Sequence, residues 1–118
     1  MTSFSQNQPI FLQIRQRIIE MILREEVPEG GALPSVRQVA TDLQVNPLTV
    51  TKAYDGLVDA GAVEMRRGVG MFVATGAREN LLAGERRKFL EEEWPAIRDR
   101  IAALGLDATE LLGKGAGK

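Results

Sequence analysis

Residues 33 to 73, LPSVRQVATDLQVNPLTVTKAYDGLVDAGAVEMRRGVGMFV, constrain the fold of this chain more than any other stretch. Ser35 stands where a helix N-cap is wanted, and Gln38 follows three residues on, the spacing of a capping box. Val36, Val39, Ala40 and Leu43 recur at i, i+3, i+4 and i+7, which predicts a short amphipathic helix ending near Leu43. Gln44 and Val45 are left as a turn. Asn46 is the next cap, and Pro47 takes the first helical position, where a missing N–H costs nothing. Val50, Ala53, Tyr54, Leu57 and Val58 give this second helix its apolar face. Gly61 supplies a left-handed residue just past its end, expected near Ala60. Ala62 to Met65 and Met71 to Ala74 read as short strands joined by a loop from Arg66 to Gly70. Two helices across a tight turn, then a basic glycine-containing hairpin, make a helix-turn-helix with a wing.

The flanks add helices. Residues 1 to 8 are polar and expected to be disordered. From Pro9 to Glu25, Ile10, Ile14, Ile18 and Ile22 recur every four residues, and Phe11, Ile19 and Leu23 widen the stripe into a buried face. EVPEGGALP, residues 26 to 34, breaks that helix with two prolines and two glycines. Helical patterning returns at Arg78. Leu90, Trp94, Ile97, Ile101 and Leu104 follow a 4-3-4-3 spacing, an a/d seam. Pro95 falls inside the seam, so the helix bends or restarts there. Gly105 ends it, Asp107 and Glu110 form a second capping pair before Leu111 and Leu112, and residues 113 to 118 read as a flexible tail. The expected architecture is mainly α with a small β-hairpin. A winged helix-turn-helix spans residues 9–76, and a helical dimerisation segment spans 77–113.

Composition narrows the chemistry. At 118 residues the chain suits one domain, or one small domain with an appendage. It has no cysteine and no histidine, which removes disulfides, thiolate metal sites and the commonest general base. Catalysis would need paired carboxylates, and the acidic residues fall on predicted solvent faces, so no enzyme, cofactor or metal is expected. No apolar run is long enough to span a membrane, and the N-terminus lacks a secretory pattern. A soluble, cytoplasmic protein is the default expectation.

A duplex major groove admits one α-helix, provided the helix has an apolar back and short polar or cationic residues at its exposed start. On the helix from Pro47, that start carries Leu48, Thr49, Thr51 and Lys52. Threonine hydroxyls bond phosphates or base edges. Their methyl groups, and Leu48, meet a thymine methyl, while Lys52 reaches a phosphate or a guanine. Arg37 opens the preceding helix, where free N–H groups already favour an anion. Arg66 and Arg67 ride on the hairpin, with Gly68 and Gly70 allowing close backbone approach, and a wing of this kind lies along the backbone or in the minor groove. Charge is the counterweight. The net charge is −1, and Arg37, Lys52, Arg66 and Arg67 are balanced by Asp42, Asp55, Asp59 and Glu64. One copy should bind DNA weakly, which favours a dimer. A winged helix used as a protein-interaction module stays open beside the DNA reading.

Taken whole, the segment from Leu33 to Ala74 resembles the winged helix-turn-helix of the GntR family of bacterial transcription regulators. Asn46 to Tyr54, in its Asn-Pro-x-Thr-Val…Ala-Tyr form, looks like the YtrA subfamily. The resemblance covers roughly Pro9 to Ala74. It implies DNA contacts from Arg37, from Asn46, Pro47, Leu48, Thr49, Thr51 and Lys52, and from Arg67, Gly68 and Gly70. Leu48 stands where the subfamily often has a polar residue, and Val69 where the wing often has a cation. The residues after the wing are too few for the large effector domain of most relatives and fit the short helical tail of the YtrA type. The resemblance thus implies a homodimeric regulator, more often a repressor, on a pseudo-palindromic double-stranded operator. Leu81 and Leu82 would join the seam in the dimer; the alternative is that the seam packs back on its own winged domain. A small-molecule effector at the dimer interface, or none, both remain open.

Overall fold

The computed structural model describes residues 8–116, and it divides them into two compact units, one ending at Leu82 and one beginning at Ala83. The disorder expected at the N-terminus falls, up to residue 7, outside the described residues. So do residues 117 and 118 of the expected tail.

Three helices build the first unit. α1 spans Ile10–Leu23, α2 Val36–Leu43 and α3 Pro47–Asp59. On α1 the four-residue rhythm buries Ile14, Ile18 and Ile22, together with Ile19. Ile10, the first of the series, is exposed instead, because it lies in the opening turn beyond the edge of the core. α2 contributes Val39 and Ala40; α3 contributes Val50, Ala53, Tyr54 and Leu57. Leu33, Ala62, Val63, Val73 and Ala77 close the same core.

The caps are those read from the sequence, with one difference. The Ser35 hydroxyl accepts from the Gln38 N–H at 3.0 Å, and Asn46 Oδ1 accepts from the Leu48 N–H at 2.8 Å. The capping box at Ser35 is only half made, because the Gln38 amide donates to Asp42 Oδ1 at 2.9 Å rather than folding back. Gln44 ends α2 in the left-handed region, at φ 56°, and so bends the chain into the helix-turn-helix. Gly61 takes φ 82° past the end of α3.

The wing pairs β1 (Val63–Arg66) antiparallel with β2 (Gly70–Val73). Its extent corrects one expectation. Arg66 lies opposite Gly70 as the last strand pair, so neither belongs to the loop. The loop is only Arg67, Gly68 and Val69, closed by the Val69 N–H donating to the Arg66 carbonyl at 2.9 Å, with Gly68 at φ 76°. Residues 30 to 33, read from sequence only as a breaker, run along the other side of β2. Gly30 and Leu33 donate to the Val73 and Met71 carbonyls at 2.8 Å each, and Ala32 bridges Phe72.

α4 (Ala77–Lys88) starts on this unit. Ala77 is fully buried and Leu81 packs against the core. Arg78 Nε donates to the Leu23 carbonyl at 2.8 Å and pairs with Glu25 at 3.3 Å. A cation there meets the unbonded carbonyl end of α1.

In the second unit, a single π-helical turn, Phe89–Glu93, precedes α5 (Trp94–Ala103), which carries Pro95 in its first turn. The sequence left a bend or a restart at Pro95. The structure shows no break there: Lys88, Glu93 and Trp94 all stay in the right-handed helical region, and the widened π-turn just upstream accommodates the lost N–H. α6 (Ala108–Ala116) follows, capped by Asp107 Oδ1, which accepts from the Thr109 and Glu110 N–H groups at 2.8 and 3.2 Å. It continues through Gly113, where a flexible tail was expected to begin. None of the described side chains from Ala83 onward is buried.

Candidate nucleic-acid interface

The start of α3 is held out by two fixed points. Asn46 caps it, and Tyr54, wholly buried two turns later, donates its hydroxyl to the Pro34 carbonyl. Burial pushes the Tyr54 phenol well above its usual range. Between these points the opening turn projects. Leu48 is 76% exposed, although a leucine there gains nothing from water. Thr49 and Thr51 are half-buried, and Lys52 is exposed.

Two shallow hollows flank this turn. One, of about 460 Å³, is lined by Val36, Arg37, Ala40, Thr41, Val45 and Pro47, so it joins the start of α2 to the start of α3. The other, of about 380 Å³, is lined by Ile10, Phe11, Leu48, Thr49 and Lys52. The structure therefore brings Arg37 together with Pro47, and Leu48 and Thr49 together with Lys52. Asn46 is exposed, but its side-chain oxygen is spent on the cap. Thr51 lines neither hollow.

The cations differ in how free they are. Arg37 and Arg67 are exposed, and neither forms an ion pair among the described residues. Arg66 is engaged: it pairs with Glu64 at 3.1 Å on the same strand face and lies over the Phe72 ring at 4.0 Å from its centroid. Arg67 is the wing cation that has no ion pair among the described residues. Val69 beside it is 71% exposed. Gly68 is exposed and Gly70 half-buried, at φ 146°, a conformation that suits glycine.

Sequence reasoning missed the partners of Lys52. Its ammonium stands 4.1 Å from the centroid of the Phe11 ring, and the Arg15 guanidinium stands 5.3 Å from the same ring. Arg15 reaches across to α3 and donates to the Ala53 and Lys52 carbonyls at 3.3 and 3.4 Å. It lies over Gly56, where an added Cβ would come within 2.0 Å of the guanidinium. The i, i+4 spacing of Phe11 and Arg15 was the available signal. For Arg66 it was the i, i+2 spacing from Glu64, which puts both on one strand face.

The model of the gntR family of bacterial regulatory proteins matches residues 11–73. The chain belongs to the GntR family. The matched span runs from the first helix through the wing, so it contains every side chain named in this interface except Ile10. Among GntR relatives, the chain is 35% identical over 109 residues to the uncharacterized HTH-type transcriptional regulator YhcF of Bacillus subtilis, covering 92% of this chain and 88% of that protein. It is 38% identical over 84 residues to the HTH-type transcriptional repressor YtrA of the same organism, covering 71% of this chain and 65% of that one. A GntR family transcriptional regulator from Listeria monocytogenes shares the fold over 98% of this chain and 99% of its own, with 26% identity and a TM-score of 0.74. This chain is a YtrA-like GntR regulator with a winged helix-turn-helix reader. Among its described residues no helix is long and apolar enough to cross a membrane.

Proposed function

We propose that this protein is a cytoplasmic transcription repressor that reads a pseudo-palindromic operator as a homodimer. The observation that carries the reading is the exposed opening turn of α3, with Leu48 and Lys52 on one side and the unpaired Arg37 on the other. In this arrangement α3 enters the major groove, where Leu48 and the methyl group of Thr49 meet thymine methyls and Lys52 reaches a phosphate or guanine. Arg37 holds the phosphate backbone at the start of α2, and Arg67 does so from the wing. Asn46 and Pro47 fix the angle of the helix, Thr51 supplies a hydroxyl at its flank, and Gly68 and Gly70 let the wing backbone come close. Arg66 acts mainly within the wing.

The second unit supports the twofold. Leu90, Ile97 and Leu104 of the seam, and Leu106 and Leu112 beyond it, are exposed large apolar side chains in a unit with no buried side chain among those described. Surface of that kind costs about 25 cal/mol per Å² while it faces water, so a second copy is the economical cover. Trp94 and Ile101 are half-buried and extend the same set. Leu82 is half-buried and sits where the chain leaves the reader, while Leu81 is already committed to the reader's core.

Selection of bound duplexes from a random pool, then a shift assay across salt concentration, tests the proposal. A palindromic consensus with steeply salt-dependent binding supports it. No enrichment above a shuffled pool would leave the winged helix as a protein-docking module.

A further inference from the structure

We propose that Phe11 is a positioning residue for DNA reading: its ring holds the Lys52 ammonium at the edge of α3, presented to the duplex rather than swinging in solvent. The inference rests on the reading above, in which Lys52 contacts DNA. A lysine side chain has four rotatable bonds and loses much rotamer freedom when it is fixed on a target. A cation over an aromatic face is already partly fixed. The Phe11 ring is anchored for this task. It packs against the core beside α3, and Arg15 lies 5.3 Å from its centroid. Arg15 is in turn tied to the Lys52 and Ala53 carbonyls. The lane that lets Arg15 pass is Gly56, whose missing side chain leaves room against α3. Ring, arginine and glycine lane together set where the one cation of the α3 start stands. The hollow lined by Ile10, Phe11, Leu48, Thr49 and Lys52 places that cation beside the two residues assigned to thymine methyls. The platform therefore couples the charge to the apolar readers.

A double-mutant cycle on the full chain tests this, using Phe11→Leu, Lys52→Ala and the pair, each measured against a selected operator and a scrambled duplex. Phe11→Leu should weaken operator binding about two- to fivefold, the range of an exposed cation–ring contact. It should have little further effect when Lys52 is already alanine. Phe11→Tyr, which keeps the ring, should restore binding. Equal effects of Phe11→Leu in both backgrounds would overturn the proposal, as would tighter binding by Phe11→Leu, because Lys52 would then be parked away from the duplex. If Lys52→Ala alone leaves operator binding unchanged, the assignment of Lys52 to DNA fails first, and that outcome is distinct. A second measurement covers poor folding of Phe11→Leu. In the wild-type protein, the Lys52 side-chain methylene protons should be shifted upfield by the ring in NMR spectra, and should stay shifted in the operator complex. Loss of that shift on binding would overturn the proposal.

Discussion

Tyr54 sits at the centre of the reader and gives its hydroxyl to the carbonyl of Pro34, the residue just before the cap of α2. One hydrogen bond thus ties α3 to the entry of the helix before it. The angle between the helix that enters the groove and the helix that carries Arg37 depends on a side chain fully shielded from water. Replacement by phenylalanine keeps the ring and leaves the Pro34 carbonyl without this partner. Tyr54→Phe is expected to cost about 1–3 kcal/mol, the usual penalty for an unmet buried polar group, read as a lower denaturant midpoint with an unchanged slope.

The same residue predicts a pH dependence. The folded-state phenol titrates above its unfolded value, because burial disfavours the phenolate. The contribution is therefore fully present below the unfolded value of about 10 and is lost as the pH climbs beyond it. Denaturation followed from pH 8 to pH 11 should show stability falling at the alkaline end. Tyr54→Phe should flatten that fall.

The wing separates two arginines that look alike in the sequence. Arg67→Ala should weaken binding to all duplexes and lower the slope of log affinity against log salt by about 1. Arg66→Ala should change that slope less, since Glu64 and the Phe72 ring already engage its charge. Glu64→Gln frees Arg66 and should strengthen non-specific binding. Salt titrations of the three variants on a scrambled duplex provide the comparison.

The helix-turn-helix was legible because its signals are local. Caps at Ser35 and Asn46, apolar spacing and Gly61 each act within one or two turns, and each is found as read except that Gln38 turns to Asp42 instead of closing the box at Ser35. What escaped the sequence depends on distant partners. Residues 30 to 33 run beside β2 only because the hairpin presents Met71 and Val73 carbonyls there, and two glycines hide that role. Arg66 and Gly70 were missed as strand residues because the ladder runs one pair further toward the loop than the residue types suggest, in the same register. The π-turn at Phe89–Glu93 accommodates Pro95 within a spacing that otherwise looks like a continuous seam. At the interface, residue types such as Arg37 and Leu48 could be named from sequence. Lys52 lying over Phe11 could not, because that contact joins two helices separated by the whole of α2.

Leu48 should govern which bases are chosen rather than how tightly DNA is held. Leu48→Ser removes an apolar contact from the exposed start of α3 and adds a hydroxyl. Selection from a random pool should return a changed consensus at one or two positions in each half-site, with affinity for scrambled DNA little altered. An unchanged consensus would remove Leu48 from the reading surface.

The second unit predicts the assembly. Sedimentation at micromolar concentration should give the mass of two chains. Ile97→Asp, which buries a charge in the seam if two copies meet there, should give one chain and at least tenfold weaker operator binding. A wild-type mass of one chain would count against the twofold.

The central claim is that α3 enters the groove while Arg37 and Arg67 hold the backbone on either side. Charge reversal at these two positions tests it most directly, because both residues are exposed and the fold does not depend on them. Operator affinity is measured across salt concentration for Arg37→Glu, Arg67→Glu and the double variant, with thermal unfolding as the control. Unfolding should be unchanged, binding should be at least tenfold weaker for each single variant on every duplex, and the salt slope should fall further in the double. Operator affinity that survives both reversals would contradict the docking proposed for this reader.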